Sequence, residues 1–260
     1  MSSFLKRLTA FLLVSSAAIS ALPGQGIKGL KGTLTGNQII KSQSLGYSLQ
    51  YRVYTPPNSQ NLKDIPVVYV TDGQWYISKG SMPKVVDQLI FTHQIKPIIA
   101  VFIDNRDPYD LKTNRRNNQF LCNKRFLQFV KNELVSVIDK GYRTDDSPQS
   151  RAIMGISFGG LNAGYFGANA YDTFGLVAMM SPALHPCRDI YEQYEAGPKK
   201  PLKIYLSTGA KNDTEVGTRY LKKVLDKQGY QIKYQEVDEE HNWNNWRPLI
   251  DDALIYFFSK

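Results

Sequence analysis

The chain predicts an α/β fold: a mostly parallel central sheet with helices on both faces. Three observations carry that reading. Apolar runs of strand length recur along the chain and are nearly continuous, as strands buried on both faces are. Between them lie longer stretches whose apolar residues repeat at helical spacing. The two kinds alternate through most of the 260 residues, the order expected of parallel strands joined by crossover helices. With 42% hydrophobic and 21% charged residues the chain is an ordinary globular one, which excludes disordered and fibrous classes.

The elements follow in order. Residues 47–54 alternate in character and form an early strand closed by Pro56 and Pro57. Residues 66–71 are a buried strand stopped by Asp72-Gly73. A helix is predicted over 81–94, with Val85, Val86, Leu89 and Ile90 on one face. Residues 97–103 form the next buried strand. Residues 123–140 are amphipathic, with Phe126, Phe129, Val130, Leu134, Val137 and Ile138 turned inward. A strand at 151–154 and a helix at 161–169 flank a glycine-rich turn. Strands are expected at 174–180, 202–207 and 231–237, and helices at 214–228 and 246–258. In such sheets the chemistry gathers at the carboxyl ends of the strands.

The first twenty residues read as a signal peptide rather than as part of the fold. Lys6 and Arg7 precede the apolar run 8–18, and Ala18-Ile-Ser20 suits a cleavage site, so the reading divides the chain into a leader at 1–20 and one domain at 21–260. An uncleaved membrane anchor is the other reading; the run is short for a bilayer span. Removing Lys6 and Arg7 lowers the formal charge from +9 to +7. The remaining excess is scattered, as at Lys199-Lys200, Lys222-Lys223, Arg115-Arg116 and Lys124-Arg125. No nucleic-acid motif accompanies it, so nucleic acid is not an expected partner; a basic surface does attract anionic substrates. Cys122 and Cys187 are an even pair in an exported chain, either bridged or free. Neither has metal-ligand spacing, and no metal or other cofactor is expected.

The most informative stretch is Gly155-Ile-Ser157-Phe-Gly159-Gly160. G-x-S-x-G between a strand and a helix is the nucleophile elbow, a strained turn that lifts a serine hydroxyl clear of the sheet. A plain glycine-rich turn is the competing reading. Ser157 needs a base, and the chain has three histidines: His93, His185 and His241. Only His241 follows the last strand and precedes the last helix, the order nucleophile, acid, histidine. The acid is sought between them, in Ser207-Thr-Gly209-Ala-Lys-Asn-Asp213-Thr-Glu215. Asp213 is preferred because it lies on the loop before the helix; Glu215 is the alternative, and Asp213 as a helix cap competes with the catalytic role. Such an acid orients the imidazole and stabilises the imidazolium. The developing oxyanion needs two N–H donors. Phe158 supplies one from the elbow, and Gln74 or Gly73, after the strand ending at Thr71, supplies the other.

These residues carry a resemblance. Val67-Val-Tyr-Val-Thr-Asp72-Gly73-Gln74, the elbow with its doubled glycine, and His241-Asn-Trp243 with Trp246-Arg247 resemble the enterochelin (siderophore) esterase branch of the putative-esterase superfamily, which has the α/β-hydrolase fold. The stretch Arg116-Asn-Asn-Gln119-Phe-Leu-Cys122-Asn123-Lys-Arg-Phe126 resembles R-x-x-E-x-x-C-N-x-x-F of those esterases, with Gln119 where an acidic residue is usual. The resemblance spans residue 45 to the end and implies an exported, single-domain esterase, periplasmic or secreted, without the separate N-terminal module of the cytoplasmic siderophore esterases.

The expected chemistry is acyl transfer through Ser157, His241 and Asp213, hydrolysing a small-molecule ester, anionic or aromatic, such as a siderophore. Arg115, Arg116, Asn118 and Trp243, with Gly73, are the candidate substrate-binding residues: arginine pairs with acyl-group oxygens, and aromatic side chains stack on rings. Two other readings stand beside it, an acyltransferase with a cell-envelope acceptor and an inert binding protein on the same scaffold.

Overall fold

The computed structural model describes residues 29–260, so the leader expected at 1–20 lies outside them. The strands are β1 (Thr33–Leu34), β2 (Gln38–Lys41), β3 (Ser48–Thr55), β4 (Val67–Val70), β5 (Ile99–Asp104), β6 (Arg151–Ile156), β7 (Leu176–Met180), β8 (Lys203–Gly209) and β9 (Gln231–Val237). The helices are α1 (Gly73–Ser78), α2 (Met82–Phe91), α3 (Arg116–Phe120), α4 (Lys124–Gln128), α5 (Val135–Gly141), α6 (Phe158–Asn169), α7 (Ile190–Glu195), α8 (Glu215–Lys227), α9 (Trp243–Trp246) and α10 (Ile250–Phe258).

All nine strands form one sheet in the order β1-β3-β5-β4-β6-β7-β8-β9, with β2 also paired to β3. From β5 to β9 every neighbouring pair is parallel. The strands before β4 are the antiparallel part, β3 running against β1, β2 and β5.

Side chains of a strand alternate between faces, and here the alternation separates two cores. In β4, Val67 and Tyr69 pack on one face and Val68 and Val70 on the other; in β5, Ile99, Val101 and Ile103 oppose Ala100 and Phe102. The first face is covered by Phe126, Phe129 and Leu134, by Leu161 and Phe166 of α6, and by Leu221 and Leu225 of α8. The second is covered by α2 through Met82, Val86 and Leu89, and by α10 through Ile250, Ala253 and Leu254. Burial on both faces explains the absence of a polar stripe in these strands.

The structure adds what local patterning does not reveal. The helix expected at 123–140 is continuous but carries a π turn at Phe129–Leu134 between α4 and α5. The last helix, expected as one piece over 246–258, is α9, a 3₁₀ turn at Arg247–Leu249 and then α10. Pro248 sits at the start of that turn, where a residue without an N–H is tolerated. The turn expected at Asp72-Gly73 is the left-handed entry to α1, with Asp72 at φ 58°.

Candidate active site

Each parallel strand from β4 to β9 is followed at its carboxyl end by a residue of the candidate site or of its support. Ser157 follows β6 at φ 57° and ψ −121°, a conformation L-residues avoid, and α6 begins at the next residue. The crowding explains the flanking glycines. A Cβ on Gly155 would lie 2.2 Å from the carbonyl oxygen of Gly159 and 2.5 Å from Thr71 Oγ1, and one on Gly159 would lie 2.7 Å from the same hydroxyl.

His241 lies between β9 and α9. Its Nε2 is 2.9 Å from Ser157 Oγ, and its Nδ1 is hydrogen-bonded to Asp213 Oδ1. Trp246 packs edge-on against the imidazole, with ring centroids 4.9 Å apart. One ring nitrogen thus faces the hydroxyl and the other the carboxylate, the geometry in which an imidazole can take a hydroxyl proton while its own charge is stabilised.

The Asp213 side chain is fully buried, although the residue as a whole is half-buried. Besides His241 it accepts bonds from Ser181 Oγ (2.6 Å), Asn245 Nδ2 (2.9 Å), Thr208 Oγ1 (3.2 Å) and the backbone N–H of Gly209. Burial pushes its pKa up, but donors from His241, Ser181 and Gly209 outweigh burial and hold it at about 2. It is not the cap of α8, which is Thr214. Glu215, the alternative acid, is turned back to accept the Asp213 backbone N–H at 3.0 Å.

The sequence did not reveal this support. Ser181, after β7, receives Trp246 Nε1 at 2.8 Å and Asn245 Nδ2 at 3.2 Å, so one hydroxyl ties Asp213 to the start of the last helical region. The signals were a serine directly after a strand and the pair Asn245-Trp246 close to His241.

The N-termini of α1 and α6 both open beside Ser157, because β4 and β6 are neighbours. Gln74 and Phe158 stand in the first turns of those helices, where backbone N–H groups have no helical acceptor. Gly73 packs against the β5 backbone: a Cβ there would be 2.5 Å from the carbonyl carbon of Phe102. The Gln74 side chain donates to Asn105 Oδ1 at 2.7 Å, and Asn105 donates to Asn114 Oδ1 at 2.6 Å, which fixes the loop.

The expected substrate-binding residues fare differently. Arg116 is not free. It pairs with fully buried Asp72, Nε lying 2.9 Å from both carboxylate oxygens, and its Nη2 also donates to the Ile156 carbonyl at 3.3 Å. Burial raises the pKa of Asp72 to about 6 against the opposing pull of Arg116. Arg115 pairs with Asp107 at 2.7 Å and covers the Tyr47 ring. Asn118 is exposed, and its carbonyl accepts from Asn123 Nδ2 at 2.6 Å in the turn before α4. Trp243 packs edge-on against Tyr76 and Trp246 and lines a cavity of about 440 Å³ with Arg247 and Asp251. Gln119, where the resembled motif is acidic, is buried and donates to Tyr47 Oη at 3.3 Å.

Cys122 and Cys187 form a disulfide, with Cα atoms 6.5 Å apart. It links the segment after α3 to the segment between β7 and α7. Among the described residues no group of three or more His, Cys, Asp or Glu side chains could hold a metal ion, and no helix is long and apolar enough to cross a membrane.

A parallel sheet with an elbow serine, a late histidine and a carboxylate between them in sequence is the α/β-hydrolase arrangement. The chain belongs to the family described as Putative esterase, whose model matches residues 42–257. It is 27% identical over 230 residues to an uncharacterized Bacillus subtilis (strain 168) protein, YjcH, covering 82% of this chain and 92% of that one. It is 26% identical over 230 residues to the iron(III) enterobactin esterase of Escherichia coli (strain K12), covering 84% of this chain and 55% of the esterase, so it spans about half of that relative. Among solved structures, the enterobactin esterase of Shigella flexneri superimposes with a TM-score of 0.77 at 24% identity, over 90% of this chain and 61% of that one.

Proposed function

We propose that the protein is a serine-dependent carboxylic ester hydrolase acting on small-molecule esters. The observation that carries this reading is the unbroken chain of contacts from Ser157 Oγ through His241 to the buried side chain of Asp213. Family membership over residues 42–257 supports it independently.

The steps follow from the geometry. His241 Nε2 accepts the Ser157 proton as Oγ attacks the ester carbonyl. The tetrahedral oxyanion sits before the N–H groups of Phe158 and Gln74, at the N-termini of two helices, where partial positive charge favours it. His241 then protonates the leaving alcohol. It next takes a proton from water as the water oxygen attacks the acyl-enzyme; the bond to Ser157 Oγ then breaks, Oγ takes that proton back from His241, and the acid is released. Asp213, held as a carboxylate, keeps Nδ1 protonated throughout.

Similarity to enterobactin esterases supports an ester with a catecholate or other anionic aromatic acyl group as the substrate class. We place the mature protein outside the cytoplasm; the leader pattern at 1–20 and the Cys122–Cys187 bridge support this, because structural disulfides persist in oxidising compartments.

Labelling with a fluorophosphonate tests the reading. The folded protein should be modified at Ser157 and Ser157→Ala should not; an unlabelled native protein refutes it. Turnover of an ester with and without an added alcohol acceptor separates hydrolysis from transfer. Free acid is expected, and a predominant transfer product would make the protein an acyltransferase.

A further inference from the structure

The substrate's charge is met by neither of the two arginines that the sequence singles out, since Arg115 and Arg116 are held by Asp107 and Asp72. A different cation stands beside the triad. Between the β7–α7 segment and the start of α8 lies a cavity of about 320 Å³, with Leu184, His185, Arg188, Tyr191, Thr214 and Val216 among its walls. Ser157 and His241 do not line it, but three contacts connect it to the triad and its neighbours. Ala183, in its wall, donates its N–H to the Ser157 carbonyl at 3.1 Å. The His185 ring lies 5.9 Å from that of Phe158, the residue after the nucleophile. Asp213 forms part of the wall.

Arg188 is exposed and makes no ion pair among the described residues. The carboxylates closest to it in the chain and in the wall are already engaged. Asp189 accepts from Gln193 Nε2 at 2.8 Å, and Asp213 is surrounded by its own donors. The segment bearing Arg188 is anchored: Cys187 is bridged to Cys122, and Ile190 donates to the Cys187 carbonyl at 3.1 Å. Tyr191 is fixed across the cavity by packing edge-on against Tyr220 and by donating to the Gly217 carbonyl at 3.3 Å. The volume equals roughly ten water molecules, enough for one ring with a short substituent.

We propose that this cavity is a binding subsite for one half of the ester, and that Arg188 selects substrates whose half carries a carboxylate or similar anionic group on a planar body. The inference rests on the ester-hydrolase reading for its role in turnover. The subsite itself can be tested without turnover. A planar guanidinium pairs with a carboxylate through two parallel N–H donors, a geometry lysine cannot reproduce.

Two measurements test the proposal. In the first, benzoate and its neutral analogue benzamide are titrated into Ser157→Ala protein with intact or altered Arg188, and binding is followed by calorimetry or ligand-detected NMR. Benzoate should bind more tightly than benzamide, and Arg188→Ala should reduce that preference about tenfold or more. Arg188→Glu should reverse it. Equal binding of the two probes, or a preference that survives both substitutions, overturns the proposal. In the second, kcat/KM is compared for p-nitrophenyl hemisuccinate against p-nitrophenyl butyrate, and for the acetyl ester of 4-hydroxybenzoate against phenyl acetate. The first pair places the charge in the acyl half and the second in the alcohol half. One pair should show an anionic preference that falls about tenfold in Arg188→Ala, which identifies the half that enters the cavity. Hydrolysis of every ester without any Arg188-dependent preference refutes the subsite and leaves the hydrolase reading standing. Benzoate selectivity without hydrolysis of any ester refutes the hydrolase reading and leaves the subsite standing.

Discussion

Asp213→Asn should inactivate the protein by trapping His241 in the wrong tautomer. Asp213 Oδ1 faces His241 Nδ1, while Oδ2 accepts from Ser181, Thr208, Gly209 and Asn245. An asparagine must place its single carbonyl oxygen on one side. Facing the –NH₂ toward those four donors would break every bond to Oδ2 and leave the Ser181 hydroxyl and the Gly209 N–H without an acceptor, at about 1–3 kcal/mol each, while Asn245 and Thr208 keep their other acceptors. The oxygen therefore takes the four-donor side and the –NH₂ points at His241. Nδ1 must then accept a proton rather than donate one, so Nε2 carries the hydrogen and cannot deprotonate Ser157. The same tautomeric error in a serine-protease triad costs about 10⁴ in kcat, or about 5 kcal/mol of transition-state stabilisation. Steady-state hydrolysis of p-nitrophenyl acetate reads the loss, with circular dichroism to show that the variant is folded. Glu215→Gln is the control and should stay within twofold of the parent. A folded Asp213→Asn retaining more than a tenth of the parent kcat/KM would refute the assignment of Asp213 as the orienting acid.

Three further outcomes are expected. Arg116→Met leaves Asp72 buried without its partner and should destabilise the protein by about 3–5 kcal/mol in urea unfolding, whereas the double variant Arg116→Met/Asp72→Asn should recover much of the loss. The two buried acids act oppositely on the pH dependence of stability. Asp213, held at about 2, contributes stability that is full above the unfolded carboxylate range near pH 4 and lost as pH falls toward 2; Asp72, raised to about 6, erodes stability as pH rises from about 4 to 6, a decline that Asp72→Asn should abolish in denaturation measured across that range. Reduction of Cys122–Cys187, which are 65 residues apart, should cost about 4 kcal/mol in the chain-entropy model, seen as a lower urea midpoint for the reduced protein.

What the sequence conveyed and what it withheld divides along physical lines. The meeting of Ser157 and His241 was legible because the proposed chemistry is tied to local grammar: a strand, a strained glycine-flanked turn, a late loop. Asp213 was legible by order along the chain, but its preference over Glu215 rests on side-chain direction, which order does not contain. Arg116 misled for a similar reason. Its ion pair with Asp72 spans 44 residues, and a basic residue close to a site reads the same in sequence whether or not a buried carboxylate has claimed it. Ser181 is a single hydroxyl whose importance comes only from the convergence of Asp213, Asn245 and Trp246 on it. The fold itself was carried by burial pattern, and the elements that escaped were short ones, such as α1, α3 and α7, with too few turns to show a periodic face.

The Asp72–Arg116 pair also bears on the proposed oxyanion site. The two proposed N–H donors come from different strands: Phe158 follows β6 and Gln74 follows β4. Their separation must stay fixed to within a fraction of an ångström for both to meet one oxygen. Three ties cross between the strands where the donors emerge. Thr71 donates its N–H to the Met154 carbonyl at 3.0 Å and its hydroxyl to the same oxygen at 3.3 Å. The glycines at 155 and 159 let Thr71 approach the elbow backbone. Arg116 holds Asp72, the residue that opens α1, while donating to the Ile156 carbonyl on the strand that leads to Ser157. Asp72 with Arg116 thus bridges the two halves of the proposed oxyanion site. Apolar replacements of buried ion pairs are often at least as stable, so the position of this pair between the two strands, rather than its net energy, is a reason for a buried charge here.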